Sequence, residues 1–106
     1  MDNFKVIYKI LKYLESAMDY DEPDYLPIKA EALGLTEERW KAIIKMLVDN
    51  GYVEGVVIKQ YVRVGSIITR FEPIITLKGL EYLHENSMMK KAMEVAKGIK
   101  DIVPGL

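Results

Sequence analysis

The sequence predicts one α+β domain over residues 1–106, and three observations lead to this prediction. Residues 36–50 carry apolar side chains at helical spacing, and the pattern stops at Asn50-Gly51. Residues 52–76 are rich in β-branched and aromatic side chains, which favour strands. A further helical pattern covers residues 77–100. Helical stretches before and after one β-rich arm in the sequence are what place the chain in the α+β class.

Composition predicts a globular protein of the cytoplasm. With 106 residues, 50% of them hydrophobic and 29% charged, the chain is long enough for a single modest core. No apolar run approaches the ~20 residues that span a bilayer, and Lys5, Lys9 and Lys12 interrupt the first helical stretch, so we expect neither a membrane segment nor a signal peptide. The absence of cysteine excludes disulfides and thiolate metal sites and favours a reducing compartment.

The charge balance limits the kind of DNA binding that the chain can support. A net charge of −1 argues against a strongly basic nucleic-acid-binding protein. The acidity is concentrated in one loop that contains two prolines, and its acidic residues are Asp19, Asp21, Glu22 and Asp24. Their spacing lacks the glycine and the glutamate of a calcium-binding loop, so we interpret them as an acidic surface loop. The rest of the chain is slightly positive, which is compatible with weak DNA binding.

Residues 1–18 are predicted to form the first helix, with Asn3 as its N-cap. Its buried face is expected to be the apolar set at spacings of three and four: Phe4, Ile7, Leu11, Leu14 and Met18. A second stripe on the same helix consists of Lys5, Lys9 and Lys12. We interpret this stripe as a solvated face, with a phosphate-contacting ridge as the alternative.

A helix-turn-helix layout follows the acidic loop. Residues 27–33 have the pattern of a short helix that a proline opens and Gly34 ends. Thr36 is a good N-cap for the longer helix over 36–50. A short helix, a turn with glycine and a second helix make a helix-turn-helix. The β-rich arm over 52–76 then makes the predicted fold a winged helix, with this arm as the wing and an extra C-terminal helix.

The helix over 36–50 is the candidate recognition helix. Its inward positions are predicted to be Trp40, Ile43, Ile44, Leu47 and Val48. Trp40 is interpreted as a core anchor, with a stacking platform as the alternative. The outward cations that suit phosphates or guanine edges are Arg39, Lys41 and Lys45. Glu37 and Glu38 would oppose a DNA backbone, so the polarity of this surface is ambiguous.

The wing is predicted to be a β arm with basic side chains. Its first strand starts at Tyr52, and a short strand that begins with Pro73 pairs back on it. The segment between them is expected to fold as a further hairpin that turns at Gly65-Ser66. Its cations are Lys59, Arg63 and Arg70. They suit contacts with the DNA backbone or minor groove, and the alternative is a wing that packs on its own protein.

Residues 77–100 are predicted to form two helices, Leu77–Glu85 and Ser87–Lys100, because Asn86-Ser87 competes for backbone hydrogen bonds. The second helix carries an apolar surface for a homodimer or another partner, made of Met88, Met89, Ala92, Met93, Ala96 and Ile99. The alternative is that this helix folds back on the first helix.

No known catalytic or cofactor motif is found in the sequence. His84 is the single histidine, and with no cysteine the chain lacks the ligands of a structural zinc site. The glycines are dispersed, so no phosphate-binding loop is formed, and no serine has the surroundings of a nucleophile elbow. We therefore expect no metal, no cofactor and no enzymatic activity, and we interpret His84 as a surface residue.

Three segments in this order resemble the YjcQ-like family. They are the opening stretch 3–11, the turn over 47–55 with the sequence Leu-Val-Asp-Asn-Gly-Tyr-Val-Glu-Gly, and the stretch 75–87. The resemblance spans nearly the full length. It implies a small bacterial, prophage-associated protein with a winged-helix fold, and it carries over no catalytic or base-reading residues.

The sequence supports two hypotheses about function. The first, which we favour, is a winged helix that binds double-stranded DNA, a small dimeric transcriptional regulator of phage or host origin. The second is a non-catalytic winged-helix module for protein–protein interaction. The net charge of −1, the Glu37-Glu38 pair and the methionine-rich terminal segment motivate the second hypothesis.

Overall fold

The computed structural model describes residues 2–86 and confirms the α+β class. The elements in chain order are helix α1 (Asn3–Ala17), a 3-10 turn (Leu26–Ile28), helix α2 (Ala30–Leu33), helix α3 (Glu37–Asp49), strand β1 (Val53–Tyr61), strand β2 (Gly65–Ile75) and helix α4 (Leu77–Glu85). The two strands form one antiparallel hairpin. Helices, a hairpin and a closing helix are an order consistent with a winged-helix-like fold.

Helix α1 differs from its prediction at its start and on its buried face. The N-cap is Asp2, whose carboxylate accepts a hydrogen bond of 2.8 Å from the Phe4 N–H, and Asn3 is already helical. Phe4 is 63% exposed and Met18 is 59% exposed, because Phe4 lies in the first turn of α1 and Met18 is the residue that follows its last turn. The buried positions are Val6, Tyr8, Ile10, Leu11 and Leu14. Burial is wider than one stripe since α3, α4 and β2 all pack against α1.

The predicted short helix over 27–33 is divided at Lys29. This residue has an extended backbone, with ψ of 163°, and it separates the 3-10 turn from α2. Its ammonium lies 4.4 Å from the centre of the Phe71 ring, which fixes the side chain over the hairpin. Gly34 then ends α2 in the left-handed conformation, as the sequence predicted.

Trp40 anchors α3 in the core. It is 4% exposed, and its indole Nε1–H donates a hydrogen bond of 2.8 Å to the Ile28 carbonyl oxygen. Its ring centre lies 5.3 Å from that of Phe71 on β2. Thr36 caps α3, since its hydroxyl oxygen accepts a bond from the Arg39 N–H. The prediction that Trp40 is a core residue is therefore confirmed.

The wing is one long hairpin and not a strand pair with a second hairpin inside it. The chain turns at residues 62–64 and not at Gly65-Ser66, because Gly65, with φ of 80°, already pairs with Tyr61 as the first residue of β2. The hairpin tip is defined as residues 61–65. Pro73 lies inside β2 and not at its start. A bulge tolerates it there: Gly55 alone faces Glu72 and Pro73 across the ladder.

Helix α4 closes the fold with the predicted bounds Leu77–Glu85. The Thr76 hydroxyl caps it by accepting a bond of 3.1 Å from the Gly79 N–H, and donates one of 2.6 Å to the Gly51 carbonyl oxygen. The predicted helix Ser87–Lys100 lies outside the described residues. Within residues 2–86, no helix has the length and apolar character needed to cross a membrane.

Candidate nucleic-acid interface

The hairpin lies along α3, and its tip reaches the first half of that helix. The hairpin base is defined as residues 53–56 and 71–75. Val56 in the base shares a groove with Val48 and Asp49 at the end of α3. Nearer the tip, a second groove of about 420 Å³ is lined from α3 by Glu38, Lys41, Ala42 and Lys45 and from the hairpin by Ile58, Val64, Gly65, Ser66 and Ile68. The tip and the first half of α3 therefore share one edge of the molecule.

A polar contact holds this edge together. The ammonium of Lys41 donates a bond of 3.3 Å to the Ser66 carbonyl oxygen, and Lys41 is partly buried by it. The sequence predicted Lys41 as an outward cation for phosphates. In the structure its ammonium is directed at the hairpin, so its first role is to join the two elements.

The two other predicted cations of α3 also have partners on their own chain. The Arg39 guanidinium donates a bond of 3.2 Å to the Asn3 side-chain oxygen at the start of α1. Lys45 forms an ion pair of 2.5 Å with Asp49, one helical turn further on. Both remain exposed. Together with Glu37 and Glu38, these contacts leave the outer face of α3 without a basic excess.

The hairpin cations divide into one that is paired and two that are not. Arg70 forms an ion pair of 2.5 Å with Glu72 on the same strand. Lys59 and Arg63 are exposed, and neither forms an ion pair with any residue in the described range 2–86. Between Val57 and Ile68 the sequence contains these two cations and no acidic residue. The outer half of the hairpin is therefore positive.

The tip is also apolar, which the sequence did not reveal. Val62 is 104% exposed and Val64 is 67% exposed, with Arg63 between them. The predicted turn at Gly65-Ser66 would place these valines in a strand of the wing, where half of the side chains are usually covered. The signal that could have found them is Gly65, because a glycine that starts the return strand puts the turn at residues 62–64.

Other predicted positions lie elsewhere or outside the described residues. His84 is exposed on α4, as the sequence predicted, beside Leu80, Glu81 and Glu85. No group of three potential metal ligands occurs in the part of the chain that the structure describes. The predicted partner surface, Met88, Met89, Ala92, Met93, Ala96 and Ile99, lies beyond residue 86.

Comparison with known proteins gives one family. The family model described as YjcQ protein matches residues 8–102. The chain is 30% identical over 101 residues to the uncharacterized protein YjcQ of Bacillus subtilis (strain 168), which corresponds to 95% of this chain and 97% of that protein. No solved structure matches the chain.

Proposed function

The chain belongs to the YjcQ family, and we propose that it is a non-catalytic protein that binds double-stranded DNA through the edge shared by the hairpin tip and α3. The observation that carries the proposal is the pair Lys59 and Arg63. Both are exposed cations that form no ion pair within residues 2–86. The hairpin that carries them is separated from α3 by an open groove, so α3 is accessible as well. Exposed cations on a hairpin beside a helix suit the DNA backbone and the minor groove.

In this proposal the hairpin makes the main contacts and α3 assists. Glu37 and Glu38 lie at the start of α3 and would repel phosphates, so α3 by itself has a weak electrostatic attraction for DNA. Arg39 is the α3 cation best placed to help, because its partner is the neutral Asn3 side chain and not a carboxylate. Lys45 would first have to leave Asp49. The expected affinity is therefore modest.

A small transcriptional regulator, of phage or host origin, is the biological role that such binding would serve. Helix-turn-helix dimers read two half-sites of DNA together. The predicted surface from Met88 to Ile99 is the proposed dimer contact. Two weak interfaces then bind more tightly than one, because the second contact is intramolecular.

The test is a titration of the full chain against a fluorescent non-specific duplex, measured by anisotropy at rising salt. Each phosphate contact lowers log K by about 0.9 per log unit of salt. We expect measurable binding at low salt and a slope of several contacts. Absence of binding at low salt would contradict the proposal, since exposed cations act most strongly there.

Single substitutions then locate the interface. Arg63→Ala should weaken binding and lower the salt slope by about 1. Arg70→Ala is the matched control, because it removes the same charge from the same hairpin but from a side chain already paired with Glu72. If Arg39→Ala, Lys45→Ala and Arg63→Ala all leave the affinity unchanged, DNA binds at some other surface.

A second candidate is a protein-docking module, and one observation favours it. The exposed face of α3 is balanced in charge, with Lys45 neutralised by Asp49 and two glutamates at its start. Balanced polar surfaces beside apolar side chains are common at protein interfaces. A Glu38→Gln variant separates the two candidates, because removing a negative charge from this edge should raise affinity for DNA.

A further inference from the structure

We propose that the hairpin tip is an apolar wedge that enters the DNA minor groove, partly unstacks a base step and bends the duplex. This inference rests on the proposed function and specifies how the tip acts. Its first observation is exposure: Val62 at 104% and Val64 at 67% are among the most exposed large apolar side chains of the described residues. A valine fully exposed at a turn contributes nothing to the core, so its apolar surface is available to a partner.

The second observation is charge placed beside the apolar surface. Arg63 lies between the two valines, and Lys59 is on the strand that leads to them. A purely apolar tip would suit a protein partner, whereas an apolar tip with a cation at its centre and another on β1 suits a polyanion. Minor-groove proteins that bend DNA combine the same two features, an arginine or lysine in the groove and an apolar side chain between bases.

The third observation is shape. The minor groove is about 6 Å wide, whereas two paired strands are already about 4.8 Å apart before their side chains are counted. The body of the hairpin cannot enter such a groove, but single side chains at its end can. The turn at residues 62–64 presents three of them, and the ladder behind it is complete up to Tyr61 and Gly65. The tip is therefore the part of the hairpin that fits.

Contacts behind the tip and near the base of the hairpin make a wedge effective. The Lys41 ammonium joins the Ser66 carbonyl oxygen to α3, immediately behind the tip. The base of the hairpin packs on Trp40 through Phe71. A tip supported from both positions can transmit force to a base step, because the hairpin cannot simply tilt away when it meets the stack.

The experiment measures bending by energy transfer between fluorophores on the two ends of a duplex of about 25 base pairs, the length of a typical bent site. The centre of the duplex is A·T-rich with one TA step, which is easily unstacked. Saturating wild-type protein should bend it by about 20–90°, the range of known wedge proteins.

The double variant Val62→Thr/Val64→Thr keeps the β-branched shape and all charges. It should bind with about threefold to tenfold lower affinity, an unchanged salt slope and no bend, since only apolar burial is lost.

Val57→Thr is the matched control. Val57 is 40% exposed on the same hairpin but away from the tip, so the same chemical change there should leave bending intact. Equal bending by the double variant, or no bending by saturating wild-type protein, would overturn the wedge and leave DNA binding standing. No binding of wild-type protein to any duplex at low salt would overturn both proposals and assign the apolar tip to a protein partner.

Discussion

The base and the tip of the hairpin have similar amino acids and opposite surroundings. At the base, Val53 and Ile75 form a cross-strand pair, and each is buried at about the level of the core helices. At the tip, Val62 and Val64 are exposed to solvent. Both ends are β-branched, so strand propensity cannot explain the difference. The base is apolar because the core requires it, whereas the apolar side chains of the tip have no such requirement within the described fold.

The base is fixed by packing on three sides. Phe71 lies between Trp40, at 5.3 Å between ring centres, and Tyr25, at 5.8 Å. The Lys29 ammonium covers its face. The bulge of β2 at Glu72-Pro73, opposite Gly55, increases the local twist of the hairpin. A base fixed by packing and a tip with exposed side chains suit an arm that contacts a partner.

The largest effect is expected from Gly55→Ala at the base. Gly55 has φ of 85°, and an added Cβ would lie 2.2 Å from the Glu72 carbonyl oxygen, which is backbone and cannot move aside. Left-handed strain and steric overlap together should lower the free energy of unfolding by about 4 kcal/mol. Urea denaturation measures it.

Gly65→Ala is the control for that prediction. Gly65 has a similar φ of 80°, but nothing lies within 4 Å of the added Cβ. Its cost should be limited to the conformational strain, about 1 kcal/mol. Equal losses for the two variants would mean that the bulge does not bring the strands into close contact at Gly55.

The next effect compares two adjacent isoleucines. Ile75 is 6% exposed and Ile74 is 54% exposed, since neighbouring strand residues point to opposite faces. Ile75→Ala should destabilise by about 3 kcal/mol, and Ile74→Ala by less than about 1 kcal/mol. Thermal and urea denaturation of both variants check the register of β2. A one-residue slip of the strand would reverse the two results.

Much of the helical part of the fold was predictable from sequence, and the reasons are local. Thr36 and Thr76 identify helix starts because a threonine hydroxyl satisfies free backbone N–H groups. Trp40 followed by isoleucines at helical spacing predicted a core anchor correctly. The start of α1 was wrong by one residue, because Asp2 and Asn3 are both good caps and only the geometry selects between them.

The site was less predictable, partly because it depends on pairing between distant parts of the chain. The Lys41 ammonium binds the carbonyl oxygen of Ser66, 25 residues further along, and the sequence could not show that contact. Lys45 and Asp49 are one helical turn apart, so the i,i+4 spacing was a signal of their ion pair that the prediction missed. The turn was misplaced because the register of the hairpin shifts twice, and such irregularities are set by two strands together and not by either alone.

The third prediction concerns pH and tests the base through Tyr25. Burial raises the pKa of Tyr25 above its ordinary value of 10.0, and the nearby charges of Glu72 and Tyr13 raise it further. A raised pKa means that the folded state favours the neutral phenol of Tyr25. Its contribution to the free energy of unfolding is therefore complete below pH 10, and it is lost as pH rises through the pKa of the folded state. Wild-type stability should therefore fall more steeply above pH 10 than that of Tyr25→Phe. Parallel curves from denaturation at pH 7 to 11 would contradict this placement of Tyr25.

The smallest effect is expected at the tip, and it decides what the tip is for. Val62→Thr should change the free energy of unfolding by no more than about 0.5 kcal/mol, because its side chain touches no core. A clear loss of stability would mean that the tip packs on its own protein, which was the alternative for the wing, and its apolar surface would then need no partner. No loss, together with weaker DNA binding, would leave function as the reason for two exposed valines beside Arg63, which has no ion pair with any residue from 2 to 86. Stability and binding must therefore be measured on the same variant, since only their difference separates a wedge from a structural turn.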